Sequence, residues 1–133
     1  MAQSKYFYAL GRRKSATARL RLNNGKGEFS INDHTIDDYL AASKALGHKL
    51  LRPFHVLELD PAKYSVSVKV AGGGHAGQID AISLALSKAL AEMNEDWRGT
   101  LKRADLLGRD PREKERKKFG LRGARKQRQF TKR

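Results

Sequence analysis

The stretch that most limits what this chain can fold into is its end. Residues 116–133 carry nine Lys or Arg and no Asp or Glu, and their large apolar side chains are Phe119, Leu121 and Phe130. So few apolar groups cannot close a core, and the like charges repel one another. The segment is expected to be extended or disordered alone and ordered on its partner, with a reach of roughly 60 Å when fully stretched. Whatever is compact must come from the residues before it. Residues 1–96 hold 13 basic and 10 acidic side chains, a net of +3, whereas residues 97–133 hold 15 and 4, a net of +11.

A chain of 133 residues is short for two cores, so the expected organisation is one globular domain over residues 1–108 and a basic tail over 109–133. The absence of Cys removes disulfides, thiolate metal sites and a Cys nucleophile together. No apolar run approaches the ~20 residues that span a bilayer. No signal-peptide core precedes Arg12, Arg13 and Lys14, and there is no room for a transit peptide ahead of Gly11, which favours a cytoplasmic product. The net charge of +14 points to a polyanionic partner, nucleic acid or an acidic membrane surface.

The globular part reads as an α/β domain, a small mixed sheet packed on helices. Tyr6, Phe7, Tyr8 and Leu10 form an aromatic run, and residues 18–22 alternate so that Ala18, Leu20 and Leu22 turn inward while Arg19 and Arg21 face out. A turn at 23–27 suggests that residues 28–31 are the hairpin partner of that strand. Thr35 is placed to cap a short helix carrying Ile36, Tyr39 and Leu40. Residues 41–51 read as a helix that stops before Pro53, with strand character at 56–59 and, more clearly, at 64–70. After Gly72-Gly73-Gly74, the residues Ile79, Ile82, Leu86, Leu90, Met93 and Trp97 fall on one helical stripe. Asp80 suits the N-terminal end of its dipole. A shorter helix through Leu101, Ala104 and Leu107 ends at Gly108.

Three constellations carry chemistry. Gly11-Arg12-Arg13-Lys14-Ser15 reads as a loop between strands that grips phosphate, with Arg19 and Arg21 extending the stripe along a sheet face. The plainer reading is a solvated basic hairpin. The run 72–77 before a helix suits a phosphate backbone near exposed N–H groups. A nucleotide P-loop would need Lys-Ser or Lys-Thr where Gln78-Ile79 stands, and a glycine turn for tight packing remains the alternative. In the tail, Arg109, Arg112, Arg116, Lys117, Lys118, Arg122, Arg125, Lys126 and Arg128 alternate with Gly, Gln and Phe, a mixture able to thread between phosphates and stack on unpaired bases. Alternation of Glu113 and Glu115 with cations suggests a helical turn or a salt-bridged bend at its start. His34, His48, His55 and His75 have no metal-ligand spacing. Neither the paired carboxylates nor Ser15 and Ser43 have partners for catalysis, so no catalytic set, metal or cofactor is expected.

Three motifs stand in order along the chain: Gly11-Arg12-Arg13-Lys14-Ser15-Ala16-Thr17-Ala18-Arg19, then Gly72-Gly73-Gly74 with Gly77-Gln78 and Ala81-Ile82, then Arg109-Asp110 with Arg112, Glu115-Arg116-Lys117-Lys118, Gly120, Ala124-Arg125 and the ending Gln129-Phe130-Thr131-Lys132-Arg133. Together they make the chain resemble the family of the ninth protein of the small ribosomal subunit. The resemblance implies a fold with a left-handed βαβ crossover, an exception to the usual handedness, in the head of the small subunit. It implies contact of Arg12, Arg13, Lys14, Gly73 and Gly74 with 16S-type ribosomal RNA. It also implies a tail threaded toward the peptidyl site, where Lys132 and Arg133 approach the anticodon stem-loop of the bound tRNA. Neighbouring head proteins are further partners; a membrane or a second copy is not. Members often have Gly where Asp80 stands and Arg in place of Ser83 and Lys88. Two other classes compete: a nucleotide-utilising enzyme, which would need a triphosphate at the glycine loop, and a free-standing DNA-compacting protein using the same tail.

Overall fold

The computed structural model describes residues 5–41 and 44–131. Five strands, β1 (Phe7–Arg13), β2 (Ala16–Asn24), β3 (Phe29–Ile31), β4 (His34–Thr35) and β5 (Tyr64–Ala71), form one mixed sheet in the order β1-β2-β5-β3-β4. Four helices accompany it: α1 (Ile36–Leu40), α2 (Lys44–Val56), α3 (His75–Met93) and α4 (Asp96–Arg103). The expected mixed sheet on helices is what forms. No described helix is long and apolar enough to cross a membrane.

The alternation in β2 does what its pattern dictates: Ala16, Ala18, Leu20 and Leu22 are buried while Arg19 and Arg21 are exposed. Its neighbours differ from the expected hairpin, however. β2 pairs with β1 on one side and β5 on the other, both antiparallel, so β3 is displaced to the far side of β5, where it runs parallel. The reason lies in length. Eight residues of β5, with Val66, Val68 and Val70 inward, bury more apolar surface beside β2 than a three-residue strand can. Asn32 then prolongs the β3–β5 ladder with its side chain: Oδ1 accepts from the Val70 amide at 2.9 Å and Nδ2 donates to the Val70 carbonyl at 3.0 Å.

Helix α3 forms the centre of the molecule, packed on β1, β2 and β5 and also against α2 and α4. That explains why its burial runs around the helix instead of along one stripe: Ala81, Ser83, Ala85 and Ala89 are buried as well as Ile79, Ile82, Leu86 and Leu90. Small residues set the approach distance. At Gly11 the strand lies so close to α3 that a Cβ would overlap the Ala81 carbonyl and the Ala85 amide.

Helix ends are where the chain departs most from expectation. α2 runs through Pro53 because Leu50, Pro53 and Phe54 are buried together, and that packing outweighs the lost hydrogen bond. The residues at 56–59 are accordingly a helix end and not a strand: Glu58 takes a positive φ of 55°, and the Leu59 amide donates to the Phe54 carbonyl at 2.9 Å. α4 ends the same way, with Asp105 at φ 58° and the Leu106 amide donating to Leu101 at 3.0 Å, short of the expected stop at Gly108. Both are left-handed caps without the glycine that normally advertises them. α3 stops at Asn94, so Trp97 belongs to α4. Thr35 does cap α1, its Oγ1 accepting from the Asp38 amide at 3.3 Å.

Candidate nucleic-acid interface

The basic run 11–15 is a strand end and a turn, not a loop. Pairing of β1 with β2 continues to Arg13 opposite Ala16, leaving Lys14 and Ser15 as a two-residue hairpin tip. Such a turn needs a positive φ at its first residue, and Lys14 supplies it at 53° although glycine is the usual occupant. Strand alternation then separates the three cations. Arg12 lies on the exposed face with Arg19 and Arg21, Lys14 stands at the tip, and Arg13 turns toward the helices, where its side chain is only 15% exposed.

The hairpin tip meets the glycine loop. Gly72 and Gly73 have φ of 78° and 67°. A Cβ at Gly72 would strike the Ser15 carbonyl, and one at Gly73 would sit 3.2 Å from Ala16. These two glycines therefore let the loop pack closely on the hairpin tip, a contact between turns and not between a helix and a strand, while Gly74 is open to solvent and caps α3 without a side-chain acceptor. Gln78, which breaks the nucleotide-binding pattern, holds the loop: its Nε2 donates to the Gly72 carbonyl at 3.0 Å and its Oε1 accepts from the Tyr39 hydroxyl. Burial raises the Tyr39 pKa, keeping that hydroxyl a donor. Arg12, Lys14, the exposed glycine loop and the first turn of α3 thus share one end of the molecule.

Arg13 works inside the protein. Its Nε lies 3.5 Å from Asp80, its Nη2 lies 3.4 Å from Asp110, and its Nη1 donates to the Arg112 carbonyl at 2.8 Å. Asp80 is also met by Lys49 at 2.6 Å, and Asp110 by Arg112 at 2.7 Å. Hydrogen bonds from the Arg112 side chain and amide hold the Asp110 carboxyl well below the usual carboxylate range, and the same contact raises the Arg112 pKa. The chain leaves the helices through this clasp, in a cleft of about 270 Å³ that Lys49 and Arg52 of α2 also line. Nothing local in the sequence marks those two α2 cations as more than the polar face of a helix. Two of the predicted contact residues, Arg13 and Arg112, thus have carboxylate partners within the clasp.

Residues 109–131 contain no helix or strand. Arg109, Arg116, Lys117, Arg122, Arg125, Lys126 and Arg128 are exposed and Lys118 is half-buried. Residues 111–118 form neither the helical turn nor the bend suggested for the start of the tail; Glu115 pairs with Lys118 at 2.8 Å and Arg125 at 3.1 Å, and the chain turns later, at 119–125, where the Arg122 amide donates to the Lys126 carbonyl at 2.8 Å. Phe119 and Phe130 are exposed. Lys132 and Arg133, as well as Ser43, lie outside the described residues. All four histidines are exposed. Among the described residues, no group of three His, Asp or Glu side chains comes together in a way that could hold a metal ion.

A family model described as ribosomal protein S9/S16 matches residues 11–133. The match begins at the glycine that packs β1 onto α3 and includes the hairpin tip, the glycine loop and the clasp.

Proposed function

Because the chain belongs to the ribosomal protein S9/S16 family, whose members are structural and non-enzymatic parts of the small ribosomal subunit, we propose that it binds ribosomal RNA in two ways. One end of the globular part docks on folded RNA through Arg12, Lys14, the loop 72–74 and the outward Arg19 and Arg21. Beyond the clasp, Arg116, Lys117, Lys118, Arg122, Arg125, Lys126 and Arg128 follow the RNA backbone. Arg109, and Arg112 through the face not used by Asp110, contribute at the exit. Lys132 and Arg133 end beside the peptidyl-site tRNA. The working boundary between the two parts falls after Arg112. The particle is cytoplasmic, in the subunit head among other ribosomal proteins.

The observation that carries this reading is the convergence of two motifs far apart in sequence, the hairpin tip and the glycine loop, at one exposed cationic end. Cations there displace counterions from RNA, and the helix dipole adds to their field. No bond is made or broken. With about eight phosphates neutralised, the log–log salt slope is roughly −6 to −7. The protein should co-sediment with small subunits and leave only in high salt; equal affinity for duplex DNA would instead favour a DNA-compacting role. Removing Lys132 and Arg133 should leave assembly nearly intact and raise the tRNA off-rate from the peptidyl site, and unchanged off-rates would count against a tRNA contact.

A further inference from the structure

The helices occupy one face of the sheet, and the other is open. Along it the register aligns Tyr8, Arg21, Ser67, Ser30 and Thr35 in a row across all five strands, about 19 Å wide at the usual strand spacing. The next row is Leu10, Arg19 and Lys69, and the next Arg12, Thr17 and Ala71. Arg12, Arg19, Arg21 and Lys69 are exposed, and none of the five strands contains Asp or Glu.

Two features of this face point to a ligand outside the chain. Arg19 stands directly opposite Lys69 on antiparallel strands, a like-charge pairing that destabilises a sheet until an anion lies between. Tyr6 and Tyr8 are 49% and 48% exposed, and among the described residues before 109 they are the large hydrophobic side chains left most open. The Arg21 guanidinium lies over the Tyr6 ring, 5.2 Å from its centroid, so that arginine is ordered by a cation–π contact before any ligand arrives. A duplex backbone or an acidic peptide would satisfy the cations and leave the tyrosines idle. An unpaired nucleotide uses both, its base on a ring and its phosphates on the cations.

We propose that the open sheet face is a platform for an unpaired RNA segment, with a base stacked on Tyr8 and the backbone crossing Arg19, Lys69 and Arg12. This rests on the RNA-binding reading above and adds Tyr8 and Lys69 and a preference for unpaired strands. The test uses the full chain with a labelled single-stranded RNA of about 12 nucleotides, at the site size of small binding modules, and a duplex RNA of equal length. Tyr8→Leu should weaken the single strand about 5- to 100-fold and leave the duplex unchanged, whereas Tyr8→Phe should keep full affinity. Arg19→Gln and Lys69→Gln should each reduce the salt slope for the single strand by about 0.7. With bromouridine in the strand, ultraviolet light should cross-link Tyr8 in the wild-type protein. Unchanged single-strand binding by Tyr8→Leu together with no cross-link on β1 overturns the platform, as does an equal loss on duplex. If Arg12→Gln and Lys14→Gln still weaken RNA binding in that case, the broader reading stands; if the wild-type protein binds neither RNA, both fall.

Discussion

The hairpin end and the chain beyond the clasp are both cationic, yet they are built on opposite terms. At the hairpin, few cations are held by register, a strained turn and glycine packing, so each has one place to be. Beyond Arg112, many cations stand exposed on a backbone with no helix or strand, held to one another by the pairs of Glu115. The first arrangement commits its conformational entropy during folding and can discriminate shape. The second, on the RNA-binding reading proposed above, defers that entropy to binding and supplies charge. Arg13 marks the boundary: consecutive with Arg12 in sequence, it faces the other way and ties the two regions together.

That contrast can be broken most forcefully from the tail. Ending the chain after Arg112 should cost roughly 10³-fold in RNA affinity at moderate salt and flatten the salt slope, with the unfolding midpoint unmoved; filter binding over a salt series and thermal melts read both. A truncated chain that keeps its slope would mean that the hairpin end carries the electrostatics. Gly11→Val does the reverse. Its side chain has no room against Ala81 and Ala85, so urea unfolding should show a loss of about 3 kcal/mol, while the salt-driven component of RNA binding survives.

The clasp gives the finest test. Asp110→Asn should speed trypsin cleavage after Arg112 while shifting the melting temperature by no more than about 2 °C. The pH dependence follows from the lowered Asp110 pKa. A carboxyl depressed in the folded state adds stability above its unfolded value, and that contribution is lost as pH falls through the folded value. The clasp should therefore persist as acid is added through the ordinary carboxylate range near ~4 and open only below it. An NMR titration of Asp110 checks this, and Arg112→Gln should return its midpoint toward the ordinary value. A normal midpoint in the wild-type protein would mean that the exit is unclasped in solution.

Elements with a strong local signal were legible from the sequence. The alternation of β2 and β5, the Thr35 cap and the apolar spacing that opens α3 all rest on side chains close in sequence. Boundaries set by packing were not. The longer strand β5 takes the place beside β2 that the turn at 23–27 suggests for residues 28–31. Pro53 stayed inside α2 because Leu50 and Phe54 bury around it, and two helices end on Glu58 and Asp105 with no glycine to announce the turn. Among the candidate contact residues, the period of two places Arg19 and Arg21 facing outward, and the strand has them so. The α2 cations Lys49 and Arg52 and the pairing of Arg13 were missed, since no local pattern predicts a partner such as Asp80 or Asp110 across the fold.

What the sequence determined alone was the uneven distribution of charge, +3 in the first 96 residues and +11 in the rest. Charge and hydrophobicity are additive along the chain, so composition suffices to divide it in this way. Which cations stand open to solvent was decided only by tertiary structure. A one-residue step along β1 moves a side chain from the open face to the helix side, and the ion pairs that then neutralise it come from residues 67 and 97 positions away.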